Sequence, residues 1–365
     1  MALAAESAGE RSAPDFVALT SIPPMRPGSG GSDPHQRNIP QALGSFVRNG
    51  FRVVSVNRAS EIAGLEKAYP DVAFREDRRD AVFPGRYGAT FGALFDIGAT
   101  ADFCGIINAD VYLVPSGVRE LLQAHPDTFF VARRSDVDLN AGGMLGTYRR
   151  GIDAVFFAAR RHRALVEDTR IGRLQMGAPF WDIVVPVVAS FHAPVTFLAP
   201  PLILHPVHAT NWSRPHYAVV REAASRAVYE HALRIAPENT QARIFLDIVE
   251  HFIGAGRAPR GRRQVKAVAR VIDAWLERIE ARSTVDVEID LNDPVLRETI
   301  GTGREGYALI DAEHAARDSR DAARGWWPYW QIRLALRRRR RARQQGKRDR
   351  VFAEAEARAA RSRLS

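Results

Sequence analysis

Thiols are almost missing from this chain. Cys104 is its one cysteine among 365 residues, so a disulfide framework is excluded, and the role expected of that side chain is a small buried hydrophobe. Long apolar runs are missing as well; none approaches the ~20 residues needed to cross a bilayer. The opening stretch MALAAESAGERSAPD carries acids and no extended apolar core, unlike a secretory signal, so a cytoplasmic protein is expected. No Gly-x-Gly-x-x-Gly follows the first apolar run, and no GxxxxGK[S/T] occurs anywhere. A dinucleotide oxidoreductase and a P-loop enzyme are therefore disfavoured. A partial helix-pair signature, Tyr229–Leu233 with Ala236-Pro237-Glu238-Asn239, is present in a single copy, too few for a repeat array.

What the chain does have is enough apolar content, 46%, to bury a full core. Its net charge of +10 is concentrated in one place. Residues 331–350 hold ten Arg or Lys against the single acid Asp349, a net +9, which leaves the other 345 residues close to +1. A basic appendage on a nearly neutral body argues against a nucleic-acid-binding fold.

Short apolar runs alternate with helical spacing along the first third. Phe16–Thr20, Phe51–Val56, Val72–Phe74 and Phe103–Ile107 have strand character, and Gln36–Asn49, Glu61–Tyr69 and Tyr87–Ala99 have helical spacing. This alternation specifies a parallel sheet with helices on both faces, a Rossmann-like layout. Further strands are expected at Thr128–Ala132, Ile152–Ala158 and Val195–Ala199, with a helix capped by Ser116 and an apolar helix over Phe180–Phe191. Leu204–Trp212 reads as a loop. From Tyr217 onward the pattern is helical, over Val219–Ile235, Thr240–Ile253 and Val265–Ala281. The expected organisation is a leader at 1–14, an α/β domain at 15–215, a helical appendage at 216–283, and a loop with an aromatic, Arg-rich tail at 284–365.

The most informative segment is ADFCGIINADVYL, Ala101–Leu113. A strand buried on both faces ends there in Asn108-Ala109-Asp110, at the carboxyl end where open α/β sheets place ligand chemistry. One carboxylate there can hold a divalent cation, and that cation can hold a diphosphate; the competing role for Asp110 is a turn cap.

The strand–helix order, the TSIPP turn after the first strand, the SVN turn after the second and IINADVYL together resemble the GT-A fold of nucleotide-sugar glycosyltransferases. Ile171-Gly172-Arg173 with Ala178-Pro179-Phe180-Trp181-Asp182 resembles the acceptor-side Trp/Asp helix of such enzymes. His205 and His208 followed by Trp212 resemble their late His-containing loop. The resemblance covers about residues 15–215. It implies a mixed, mainly parallel α/β sheet flanked by helices, with a C-terminal helical extension. It also implies a metal-dependent transfer of sugar from a nucleoside-diphosphate sugar to a saccharide or glycolipid acceptor. The sequence departs from the family's Asp-x-Asp at its first position, where Asn108 stands; Asp110 keeps the place of the metal-contacting aspartate. Asn108 is also the one feature that favours a non-catalytic nucleotide-sugar-binding module.

Residue roles follow from the resemblance and the chemistry together. Asp110 with His208, or with His205 as second choice, would hold Mn²⁺ or Mg²⁺, which neutralises charge on a departing diphosphate. Either histidine has a structural or surface role as its alternative. Thr20, Ser21, Ile22, Pro23 and Arg26 would meet the base and ribose, with Asn57, Arg86, Tyr87, Asn108 and Ala109 completing the donor side. Against this stand a Pro-rigidified connection, a turn-forming Asn57 and a helix-start salt bridge at Arg86. Asp182 is the candidate base for the acceptor hydroxyl, and Trp181 and Trp212 are candidate rings for a sugar. Trp181 as core and Asp182 as a helix-start charge are the alternatives. Arg173 binds phosphate or is a solvated charge.

Trp326-Trp327-Pro328-Tyr329-Trp330 stands directly before the arginine run. Residues 326–350 therefore have the composition of a peripheral anchor on an anionic membrane at the inner face, with nucleic acid or no partner as alternatives.

Overall fold

The computed structural model describes residues 13–24, 34–84, 88–137, 144–159, 165, 169–206, 214–254, 259, 261–290, 292–295, 297, 346, 350–357 and 361. The elements in chain order are β1 (Phe16–Thr20), α1 (Pro34–Arg48), β2 (Arg52–Asn57), α2 (Ala59–Ala68), β3 (Ala73–Glu76), α3 (Phe91–Gly98), β4 (Phe103–Ile107) and β5 (Tyr112–Leu113). They continue with α4 (Val118–Ala124), β6 (Phe129–Val137), β7 (Met144–Ala158), α5 (Thr169–Gly172), α6 (Trp181–His192), β8 (Val195–Pro206), α7 (Arg214–Ile235), α8 (Thr240–Ile253), α9 (Arg262–Arg282) and β9 (Thr284–Val285).

These strands form one sheet in the order β3-β2-β1-β4-β7-β6-β8-β5, with β9 added on β8. Strands β3, β2, β1 and β4 are parallel, β7 is antiparallel to both β4 and β6, and β6 is parallel to β8. Because β7 reverses and β6 reverses again, β6 and β8 run the same way as β1, β2 and β4. The carboxyl ends of all five therefore meet at one edge, and this brings Thr20, Asn57, Asn108, Asp136 and His205 to the same side of the molecule.

The expected class, a mixed and mainly parallel α/β sheet flanked by helices with a helical C-terminal part, is the fold observed. All five residues of β1 are buried, as an inner parallel strand requires. One apolar cluster joins a sheet face to α3, α6, α7, α8 and α9 through Phe157, Trp181, Val228, Phe245 and Trp275. The other cluster packs α1 on the opposite face through Ile39, Leu43 and Phe46. Cys104 is buried, its thiol 3.1 Å from the Gly98 carbonyl, and burial pushes its pKa up to about 12.

Several boundaries differ from the sequence expectation. Ser116 does not cap α4; Gly117 occupies that place, and Ser116 bonds Asn49 instead through Oγ at 3.2 Å. Strand β8 runs on to Pro206, so His205 is a strand residue paired in register with Asp136, not a loop residue. The reason is the long partner β6, which extends to Val137 and offers β8 a backbone ladder past Ala199. After β9 the chain stays against the body, with Asp293 accepting a 2.8 Å hydrogen bond from the Tyr112 hydroxyl. Residues 350–357 form a helix on α9, with Phe352 buried under the Arg278 guanidinium and Glu356 paired to Arg278 and Arg282.

Candidate active site

Six side chains from four strand ends close a ring at the carboxyl edge of the sheet. Asn108, just past β4, donates its amide to Asp153 Oδ1 on β7 at 2.7 Å. The other oxygen of Asp153 accepts from Arg134 Nη1 on β6 at 3.2 Å. Arg134 Nε forms an ion pair with Asp136 Oδ1 at 3.0 Å. That same oxygen lies 3.2 Å from His205 Nδ1 on β8, and His205 Nε2 lies 4.0 Å from Asp110 Oδ2. Asp110 is two residues beyond Asn108, so the chain itself closes the circuit.

Local structure explains why the ring forms. Arg134 and Asp136 alternate with Arg133 and Ser135 along β6, so both project to one face, while Arg133 reaches the opposite way to Glu280 of α9. Breaks in the β6–β7 ladder near Arg133 and Ser135 re-aim the side chains there, as bulges beside functional sites do. The Asn108 backbone N–H donates to the Asp153 carbonyl at 3.0 Å, which fixes both amide and carboxylate.

Asp182 joins this ring electrostatically. Burial raises its pKa to about 7, with the negative charge of Asp153 adding to the rise and Arg134 and the backbone N–H groups of Ile152 and Asp182 opposing it. Asp153 is raised too, by burial first, against the pull of Arg134 and His205. Asp182 is the second residue of α6, whose N-cap Phe180 sits at φ 75°, the one non-glycine residue with positive φ among those described. A bulky residue held in the left-handed region is strained, and such strain gathers at functional sites.

Asp110 and His205 offer an oxygen and a nitrogen of the right chemistry for Mn²⁺ or Mg²⁺. Their 4.0 Å separation is too long for a hydrogen bond and within twice a metal–ligand distance of about 2.1 Å. Among the described residues no group of three or more His, Cys, Asp or Glu is arranged to hold a metal, so substrate phosphates and water would have to supply the remaining ligands.

The expected donor-side residues divide sharply. Thr20 and Ile22 are fully buried, and Ala109 is buried beside Asp110. Asn57, expected at a base edge, is buried; its amide holds the Ile22 carbonyl at 2.8 Å and Glu61 at 3.1 Å while its oxygen accepts from Ser55. It secures the turn after β1, and both of its amide hydrogens are engaged within the protein. Ser21 Oγ accepts from the Ala89 N–H at 2.9 Å, and a Cβ on Gly88 would stand 2.7 Å from that oxygen, so only glycine fits there. Pro23 is exposed at this edge. Arg26, Arg86, Tyr87, His208 and Trp212 lie outside the described residues, as do residues 326–345 of the tail.

On the acceptor side, Trp181 is a correction. Its ring is 5% exposed and packs 5.7 Å from the Phe91 ring, so it has no face to offer a sugar. Arg173 is exposed, and its carbonyl accepts from the Val82 N–H. Residues 82–84 and 88–91 are stitched to 173–176 by that bond and by bonds from Gly88 to Met176 and from Phe91 to Leu174. Buried Gln175 adds two more, taking the Phe83 N–H and donating to the Gly88 carbonyl. The expected donor and acceptor segments are thus neighbours in space.

Sequence reasoning missed Arg134, Asp136 and Asp153. Arg133-Arg134-Ser135-Asp136 has no motif spacing, and Asp153 sits inside an apolar run; its one signal is a carboxylate where a strand interior should be apolar.

No protein-family model matches this chain, and no curated protein does. Solved structures do resemble it. The inositol-1-phosphate CTP transferase from T. maritima is similar at 11% identity and TM-score 0.35, over 58% of this chain and 97% of that one. The 4-diphosphocytidyl-2C-methyl-D-erythritolsynthase from Anaerococcus prevotii DSM 20548 is similar at 9% identity and TM-score 0.32, over 57% and 96%. The mannose-1-phosphate geranyltransferase from Thermus thermophilus is similar at 14% identity and TM-score 0.28, over 53% and 74%. Likeness at these scores and identities assigns no activity to this chain.

Proposed function

We propose that this chain is a glycosyltransferase that takes a sugar from a nucleoside-diphosphate donor to a saccharide or glycolipid acceptor with the help of Mn²⁺ or Mg²⁺. One observation carries the proposal: Asp110 and His205 face each other at the carboxyl edge of the sheet, and Asp182, an acid raised to about 7, stands beside the same ring of side chains. Ligands bind outside the carboxyl ends of strands in sheets of this kind.

Asp110 and His205 would hold the ion, which neutralises negative charge on the diphosphate leaving group when bound. Asp182 takes the proton from the acceptor hydroxyl, a task suited to a carboxylate that titrates near neutral pH. Arg134 keeps Asp153 and Asp136 compensated, so that buried negative charge does not accumulate around the base. Asn108 has a structural partner here, since its amide answers the Asp153 carboxylate.

The test is product identification with the full chain. Nucleoside-diphosphate sugars of uridine, guanosine and cytidine are incubated with Mn²⁺ and glycan acceptors, and free nucleoside diphosphate is measured alongside glycosylated product. Glycosyl transfer predicts both. Pyrophosphate released from a nucleoside triphosphate and a sugar phosphate would replace the proposal with nucleotidyl transfer, and tight binding of donor without turnover would make the chain a binding module.

A further inference from the structure

His205 has two ring nitrogens facing two carboxylates, and the two contacts differ. Nδ1 is 3.2 Å from Asp136, within hydrogen-bond reach, while Nε2 is 4.0 Å from Asp110, beyond it. Asp136 and His205 are paired in register across parallel strands, so the short contact is built into the sheet and does not depend on a flexible loop. Asp136 is in turn fixed by Arg134 at 3.0 Å, and Arg134 by Asp153.

We propose that Asp136 is a positioning residue, which accepts the Nδ1 proton of His205 and thereby turns the unprotonated Nε2 toward the space shared with Asp110. The inference rests on the metal site proposed above and adds to it the residue that makes His205 a competent ligand. An imidazole carries one proton when neutral; a carboxylate at one nitrogen holds that proton there and leaves the other nitrogen's lone pair for a cation. The aspartate also fixes the ring plane. Without Asp136 the proton would distribute over both nitrogens, and the form that carries it on Nε2 would face Asp110 with a donor.

The full-length chain is dialysed against MnCl₂ together with uridine, guanosine or cytidine diphosphate in turn, protein-bound ion is read by electron paramagnetic resonance as the excess over the protein-free compartment, and the unfolding midpoint of each variant is recorded in parallel. Asp136→Ala is expected to weaken Mn²⁺ binding by about 10- to 100-fold. Asp136→Asn, which keeps an accepting oxygen at the same place, should lose less. His205→Ala should lose at least as much as Asp136→Ala, and the double variant should lose no more than His205→Ala, because Asp136 acts through the ring. Should the alanine variant fail to fold, Asp136→Val fills the gap in the strand and gives the same comparison. Wild-type affinity in Asp136→Ala and Asp136→Val, with affinity lost in His205→Ala, overturns the positioning role and leaves the metal site standing. Losses that simply add in the double variant overturn it as well. No Mn²⁺ binding by the wild type with any of the three diphosphates, or unchanged binding in both Asp110→Ala and His205→Ala, overturns the metal site and this inference together.

Discussion

Asn108 and Asp153 are a matched pair: the amide nitrogen of one lies 2.7 Å from a carboxylate oxygen of the other at the end of β4. A carboxylate accepts and never donates, so an amide is the right partner and a second carboxylate is the wrong one. Asn108→Asp is expected to destabilise the fold by about 1–3 kcal/mol, the cost of a buried acceptor facing an acceptor. Combining it with Asp153→Asn should recover part of the loss. Urea unfolding of both single variants and the double variant reads the coupling, and strictly additive losses would contradict the pairing.

Asp110→Asn should leave the unfolding transition nearly unchanged, since Asp110 is partly exposed, while donor turnover disappears. A thermal-shift series with nucleoside diphosphates, run with and without Mn²⁺, checks the same point. The metal-dependent increment should be present in wild type and missing in the variant. A saturating ligand at ~100 times its dissociation constant adds about 2.7 kcal/mol, an easily measured shift.

Asp182→Asn is expected to lower transfer by about 10²- to 10⁴-fold while leaving donor affinity in place. Because the base must be ionised, wild-type activity should rise with pH through an acid limb near 7, and that limb should vanish in the variant. The stability consequence has the opposite sign. A carboxyl raised by folding is favoured in its protonated form, so its contribution is complete below the unfolded pKa and is lost as pH climbs through about 7. Between about pH 4 and 7 the wild type should lose stability relative to Asp182→Asn by at most about 1.4 kcal/mol per pH unit. Parallel slopes for the two proteins would argue against the shift.

Arg133 tests how the helical part is held to the sheet. Its side chain is 6% exposed, binds Glu280 of α9 through two 2.6 Å hydrogen bonds and lies over the Phe197 ring. Glu280→Ala removes the carboxylate that both of these hydrogen bonds meet. Because Glu280 is about a third exposed, the expected cost is about 1–3 kcal/mol, below that of a fully buried pair. Chemical denaturation gives the number, and a change under about 0.5 kcal/mol would show that α9 is held by its apolar face alone.

The proposed contact of the basic segment with a membrane is best tested by charge and not by truncation. Phe352 and Ala355 beyond it are buried on α9, so a deletion through the C-terminus would strip the core. Replacing Arg337, Arg338, Arg339, Arg340 and Arg341 with glutamine should reduce co-sedimentation with anionic vesicles, since each basic residue near such a surface contributes about 1 kcal/mol. Equal pelleting of the two proteins would remove the membrane from the account.

Much of this protein is local and therefore legible in one dimension. The alternation of buried strands with helices fixes the α/β class, because a run such as Phe103–Ile107 can be covered on both faces only inside a sheet flanked by helices. Asp110 stands out for the same reason, as a charge where a buried strand ends. Trp181 and Asn57 are ambiguous in the sequence because a large ring or an amide at a loop end has equal chemistry for a ligand and for the core, and packing buries both. What tertiary structure alone decided is the company that Asp110 keeps. Arg134, Asp136, Asp153 and His205 are scattered over about 70 residues without spacing rules, and they converge because β6 and β8 run parallel with β7 reversed beside β6. Strand register sets those neighbours through backbone ladders summed over the whole sheet, and no local pattern of side chains encodes that sum.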